Sequence, residues 1–129
     1  MKLSKEKPPI YQKCVDKFGI DWEKGIIFTY GDTIHCKYDL TPDKIVHEKT
    51  HIKQQEEYGR DKWWDRYFED VEFRLSQEIE AYKNEANFIK KNIKDRNSQF
   101  KLIHGIAKDL SSSIYGNIIT YSEALKLVR

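Results

Sequence analysis

The sequence predicts an α+β fold that is mostly helical and contains one small β-hairpin. Apolar residues recur at helical spacing in several segments, whereas one short stretch alternates in the manner of a strand. No repeat, low-complexity tract or linker divides the chain. Its 129 residues and 39% hydrophobic content are enough for one core, so we expect a single domain over residues 1–129.

The first predicted elements are a short helix and the hairpin. A Pro-Pro pair precedes residues 10–18, and Gly19 stands where a left-handed cap ends a helix. Residues 26–30 and 33–38 are rich in β-branched and aromatic side chains and are separated by a Gly-Asp turn. The second run alternates apolar and polar residues, which predicts a strand with one solvated face.

A longer helix is predicted over about residues 42–58, because Thr41 and the proline after it suit a helix start and Gly59 suits a stop. This helix contains His47-Glu48-Lys49-Thr50-His51, a His-Glu-x-x-His motif. Two imidazoles four residues apart project from one helical face and can share a metal ion. The acidic residue beside the first histidine can take a proton from a water molecule. The motif therefore indicates zinc and hydrolysis.

The predicted core face of this helix is largely titratable. At about 100° per residue, the side with Ile45, Ile52 and Tyr58 also carries both histidines, Glu48 and Gln55. The opposite, solvated side holds Val46, Lys49, Thr50, Lys53, Glu56 and Glu57. A single histidine on a core face is usually a hydrogen-bonded structural residue, which is the alternative for each histidine here. Three titratable groups on one buried face favour a metal site.

A catalytic zinc site takes three protein ligands and keeps one position open for water, so a third ligand is required. Residues 76–89 begin a long helix whose apolar stripe continues to Ile93. Glu78 lies at the inward end of this stripe, whereas Glu80 lies about 200° around the helix from it and faces water. This placement favours Glu78 as the third ligand. The alternative is a first-turn acid stabilised by the helix dipole.

The rest of the chain is expected to complete the fold. An aromatic cluster after Gly59 packs a connecting helix onto the core or walls a substrate pocket, and it comprises Trp63, Trp64, Tyr67 and Phe68. Residues 95–98 separate the second long helix from a third, and Thr120 with Glu123 matches a capping box for a last helix over residues 123–128. Candidate donors that stabilise negative charge in catalysis, each with a structural alternative, are His104, Tyr115 and Tyr121.

The motif residues resemble a known group of enzymes. His47-Glu48-x-x-His51 followed by Glu78-x-x-Ala81 is similar to the two-helix signature of gluzincin-type zincin metallopeptidases. The Tyr-Gly-Asp-Thr-Ile stretch at residues 30–34, the Gln54-Gln55 pair and Glu80-Ala81-Tyr82 resemble small zincin-like metallopeptidases encoded by phages and prophages. The resemblance covers about residues 26–95.

The resemblance implies a minimal zincin-like domain whose small β-hairpin packs beside the active-site helix. It implies that His47, His51 and Glu78 bind Zn²⁺ and that Glu48 is the general base. It further implies that the strand at residues 33–38 is the edge along which an extended peptide aligns.

One position departs from the pattern of this group. Many members carry an aspartate four residues after the glutamate ligand, where it orients a ligand histidine, and this chain has Tyr82. A tyrosine hydroxyl donates well but accepts less strongly than a carboxylate, so another residue is needed for that role.

The expected function is zinc-dependent hydrolysis of peptide bonds in a peptide or protein substrate. The alternative is a catalytically inactive zincin-like module that binds zinc and serves regulation or protein interaction. The presence of Glu48 favours the enzyme, because a structural zinc site needs no acid beside a ligand and usually takes four ligands rich in cysteine.

Composition argues against several other partners. A formal net charge of +2, from 23 basic and 21 acidic residues, gives no broad cationic field for nucleic acid or for membrane phosphates. No apolar segment approaches membrane-spanning length, and no signal sequence is evident, so we expect a cytoplasmic protein, within the bacterial host if a phage encodes it. Cys14 and Cys36 lack a partner motif and are interpreted as reduced thiols rather than a disulfide.

Overall fold

Three short strands form a mixed sheet in the computed structural model, which describes residues 1–129. The strands are β1 (Lys2–Ser4), β2 (Phe28–Tyr30) and β3 (Thr33–His35). β2 and β3 are antiparallel and joined by a two-residue turn, so the predicted hairpin is confirmed with shorter strands than expected. The sequence does not predict β1, because a largely exposed strand of three residues has too little alternation to recognise.

Six helices account for most of the chain and confirm a mostly helical α+β fold. They are α1 (Tyr11–Phe18), α2 (Pro42–Tyr58), α3 (Arg60–Glu69), α4 (Val71–Asn92), α5 (Arg96–Leu110) and α6 (Tyr121–Val128). Short 3-10 turns lie at Trp22–Lys24 and Ser113–Tyr115. None of the helices combines the length and the apolar composition that a bilayer crossing requires.

The strand order corrects the expectation about the sheet edge. The order is β1-β3-β2, with β3 parallel to β1 and antiparallel to β2. Because β3 is central, the expectation that residues 33–38 form an edge for an extended peptide is wrong. The strand beside α2, the helix that carries the His-Glu-x-x-His motif, is β2. The Thr29 hydroxyl of β2 donates to Glu48 Oε1 at 3.1 Å.

Helix boundaries follow local signals in the sequence. Gly19 ends α1 with a φ of 64°, in the left-handed region that favours glycine. The capping box of Thr120 and Glu123 is present and starts α6. α4 begins at Val71, earlier than the predicted start at residue 76, because the Asp70 carboxylate caps it.

Two hydrophobic clusters form the core. The cluster among α4, α5 and α6 contains Leu75, Tyr82, Ala86, Ile89, Ile103, Ile106, Ala107, Leu110, Tyr115, Ala124 and Val128. The cluster among α1, the first 3-10 turn, β2, α3 and the start of α4 contains Cys14, Trp22, Phe28, Trp63, Trp64, Tyr67, Phe68 and Phe73. α2 packs against both β2 and α4, so residues on more than one side of this helix are buried. Thr50, predicted to be solvated, is therefore buried, whereas Tyr58 at the helix end is exposed.

Candidate metal centre

Three potential ligand atoms from α2 and α4 converge at one point. Glu78 Oε1 lies 3.0 Å from His47 Nε2 and 3.0 Å from His51 Nε2, and the two Nε2 atoms are 3.2 Å apart. All three side chains are buried. The structure thus brings together the three residues predicted as ligands. Glu80 is exposed and accepts a hydrogen bond from Gln54 instead.

Glu78 occupies the middle of a helix rather than its first turn. α4 begins at Val71, so Glu78 lies two turns inside it, and the alternative of a first-turn acid stabilised by the helix dipole is wrong. The Tyr67 hydroxyl donates to Glu78 Oε2 at 2.6 Å. This bond holds the carboxylate so that Oε1 is directed between the two imidazoles.

The outer nitrogen of each histidine has an acceptor that sets its protonation. His47 Nδ1 donates to Glu85 Oε1 at 2.9 Å, and His51 Nδ1 donates to Gln54 Oε1 at 2.8 Å. The Gln54 amide is oriented in turn, because its nitrogen donates to the Gln77 carbonyl at 3.1 Å. With Nδ1 bonded outward, each imidazole directs its Nε2 at Glu78 Oε1, to which Nε2 donates a hydrogen bond when protonated and presents a lone pair when neutral.

This arrangement fits a metal ion. When the imidazoles are neutral, two nitrogen lone pairs and one carboxylate oxygen lie within 3.2 Å of one another, and a bound proton or metal ion is needed to offset their repulsion. A divalent ion accepts all three at once, and two nitrogens with one oxygen are ligands that zinc takes in catalytic sites. The donor set of this chain therefore suits zinc.

The charges around the centre favour a cation. Burial lowers the pKa of His47, but the carboxylates of Glu48, Glu78 and Glu85 outweigh burial and raise that pKa to about 10. Burial raises the pKa of Glu78, but the two imidazoles outweigh it and hold that pKa well below its usual value. Three carboxylates around two imidazoles produce a negative electrostatic potential at the centre. Protons and metal ions therefore compete to bind there.

Glu48 lies beside the convergent atoms without being one of them. Its Oε2 is 3.6 Å from His47 Nε2, and its Oε1 accepts a hydrogen bond from Thr29 on β2. The hydrogen bond fixes the carboxylate at the edge of the centre. Burial raises the pKa of Glu48, which makes its carboxylate a stronger proton acceptor.

Comparison with known proteins does not assign this chain to a family. No family model matches it, and comparisons with curated proteins and with solved structures find no significant similarity. Its function is therefore inferred from the geometry and chemistry of the site itself.

Glu85 is a site residue that the sequence interpretation missed. It lies two helical turns after Glu78, and its carboxylate joins His47 Nδ1 to Lys44 Nζ, each at 2.9 Å. Glu85 thus provides the carboxylate that orients a histidine, the role left open at Tyr82. Tyr82 instead packs its ring against the His47 imidazole, with 4.3 Å between ring centroids. Its position seven residues after Glu78 puts it on the same face of α4, which is the signal in the sequence that could have indicated burial beside the centre, though not its partner.

We expect Glu85→Gln to weaken zinc binding about 10–100-fold, because the variant keeps an acceptor for His47 but loses the negative charge that strengthens its lone pair. Competition with a fluorescent zinc chelator measures the dissociation constant. Glu72→Gln, an exposed change on the same helix, is the matched control. Equal zinc affinity in the Glu85 variant and the control would exclude an orienting role.

A cavity of about 260 Å³ adjoins the centre. Trp63, Trp64 and Tyr67 line it and also belong to the core, so the aromatic cluster both packs α3 and walls the cavity. Of the three candidate donors, Tyr115 lines the cavity. The other two, His104 and Tyr121, are hydrogen-bonded to each other and do not line it.

Proposed function

We propose that this protein is a zinc-dependent metallopeptidase of the gluzincin type. The convergence of His47 Nε2, His51 Nε2 and Glu78 Oε1 beside the Glu48 carboxylate carries the proposal. No fourth histidine, cysteine or acid completes the ligand group, and three protein ligands are typical of catalytic zinc. A structural zinc site takes four ligands and needs no flanking acid.

The donor set favours zinc over harder cations. Calcium and magnesium prefer sites built entirely from oxygen atoms, whereas imidazole nitrogens suit zinc and its neighbours in the first transition row. Both histidines also have an acceptor on the outer nitrogen, as ligand histidines almost always do. The resemblance of the motif to zincin metallopeptidases supports the same choice.

The side chains around the centre have distinct roles in the proposed reaction. Zinc, when bound, supplies Lewis acidity, which lowers the pKa of water and polarises a carbonyl group. Glu48, held by Thr29, accepts a proton from the attacking water and returns it to the leaving amine. The Tyr115 hydroxyl, in the wall of the cavity, is the donor that we assign to the negative charge on the carbonyl oxygen.

Metal analysis joined to a peptide digest tests the proposal. Protein purified without a histidine tag is expected to contain about one zinc per chain and to cleave a fluorogenic peptide library. A chelator such as 1,10-phenanthroline is expected to stop cleavage, and added zinc to restore it. Bound zinc without any cleavage would instead support the alternative, a zincin-like module for binding or regulation. Absence of zinc affinity would overturn both.

A further inference from the structure

The cavity beside the metal centre has one apolar side. This side comes from α1, the loop after it and β2, and consists of Cys14, Phe18, Ile20, Ile26 and Phe28. Cys14 and Phe28 are buried in the core, whereas Phe18, Ile20 and Ile26 remain half-buried at the rim. Burial raises the pKa of the Cys14 thiol to about 12, so the thiol stays neutral. No charged group belongs to this side.

The charged groups of the cavity are on its other elements. Besides the metal centre they are Lys44, Glu85 and Asp109, which come from α2, α4 and α5. Tyr67 connects the two sides: its hydroxyl bonds Glu78 at 2.6 Å, and its ring meets the Phe18 ring edge-on at 6.1 Å between centroids. The Tyr67 ring therefore lies between the apolar side and Glu78, one of the proposed metal ligands.

Most of the β2 edge is not free to bind a peptide backbone. The Gln55 amide nitrogen donates to the Thr29 carbonyl at 2.7 Å, and its oxygen accepts from the Gly31 amide at 2.7 Å. The Trp64 indole donates to the same Thr29 carbonyl at 3.1 Å. Gln55 is buried, and its carboxamide takes the place that the peptide group of a neighbouring strand would occupy. Residues 25–27, which precede β2 and line the cavity, lie outside the part of the edge that Gln55 occupies.

We propose that the substrate is recognised through one bulky apolar side chain next to the scissile bond, bound on the apolar side of the cavity, rather than by extended strand pairing along β2. The proposal rests on the metallopeptidase function and defines the substrate class of that site: peptides with a residue such as leucine or phenylalanine at the cleavage position. At a half-buried apolar rim, the free energy of binding is most favourable for a ligand that covers the rim with apolar surface.

Two peptide series test this mode of recognition in the zinc-loaded wild-type protein. In one series, hexapeptides differ only at a residue flanking the scissile bond, which is leucine, phenylalanine, aspartate or lysine. We expect kcat/KM for leucine or phenylalanine to exceed that for aspartate about 100-fold, since an apolar pocket rejects a charge strongly. In the other series, peptides with leucine grow from four to eight residues, and we expect less than about a threefold rise.

Ile20→Asp tests the assigned wall. Ile20 is at the rim, so a charge there is compatible with folding, and we expect the ratio of leucine to lysine cleavage to fall at least about tenfold. Ile118→Asp, at a residue 46% exposed and outside the cavity, is the matched control and should keep the wild-type ratio. Ile20→Ala, which widens the rim without a charge, should shift preference from leucine toward tryptophan. Circular dichroism confirms that each variant is folded.

The outcomes separate this inference from the proposed function. Cleavage that is indifferent to the flanking residue, or that rises steadily with peptide length, would overturn the inference while leaving a peptidase. If no peptide is cleaved, the peptidase proposal fails, and binding to the zinc-loaded protein decides the inference through quenching of Trp63 and Trp64 fluorescence. Tighter binding of the leucine peptide than of the aspartate peptide, lost in Ile20→Asp, would support the apolar site, and equal binding would reject it.

Discussion

Glu48→Gln is expected to reduce peptide hydrolysis by about 100-fold to 10,000-fold while zinc content stays at one ion per chain. The carboxylate is beside the ligand atoms, 3.6 Å from His47 Nε2, and is not one of the three convergent groups. Glutamine has nearly the same volume and keeps an acceptor for Thr29, so the fold and the metal site should persist. It cannot accept a proton from water, so turnover should be lost.

The kinetic parameters distinguish this role from a purely structural one. Loss of a proton acceptor lowers kcat and leaves KM nearly unchanged, because the effect arises in the transition state. Glu57→Gln, an exposed change on the same helix, is the matched control and should have wild-type kcat. Wild-type activity in Glu48→Gln would remove the general base from the mechanism. Loss of zinc from that variant would make Glu48 part of the metal site instead.

Local sequence signals predict the centre of the site well. The pairing of His47 and His51 follows from helical spacing alone, and the inward direction of Glu78 follows from its position on an apolar stripe. Both depend on short-range geometry, which the helix fixes once it forms. The Gly19 stop and the Thr120 cap were predictable for the same reason.

Features that depend on packing between distant segments were not predictable in this way. The position of β3 in the sheet is set by its pairing with β1, and β1 has no recognisable pattern of its own. Glu85 is directed to His47 only because α4 packs against α2, and residues 38 apart in sequence give no local sign of that contact. Gln55 was placed on the buried face, yet its role at the β2 edge required the sheet topology.

Glu78→Ala is expected to remove most of the zinc affinity and most of the stability that zinc confers. For wild type at a free zinc concentration a thousand times the dissociation constant, binding adds about 4 kcal/mol to the free energy of unfolding. For a chain of this length, that corresponds to a rise in Tm of roughly 10–20 °C. A variant that binds zinc a hundredfold more weakly would gain only about 1.4 kcal/mol at the same zinc concentration.

Glu80→Ala is the matched control, because it removes an acid from the same helix that is exposed and bonds only Gln54. Calorimetry with and without zinc measures the gain in Tm, and metal analysis after dialysis gives the zinc content. Removal of Glu78 also leaves the buried Tyr67 hydroxyl without its acceptor, so the variant should be less stable by about 1–3 kcal/mol even in chelator. The ligand role is therefore read from the difference between zinc and chelator. A full zinc-dependent gain in Glu78→Ala, with its loss in Glu80→Ala, would assign the third ligand to Glu80.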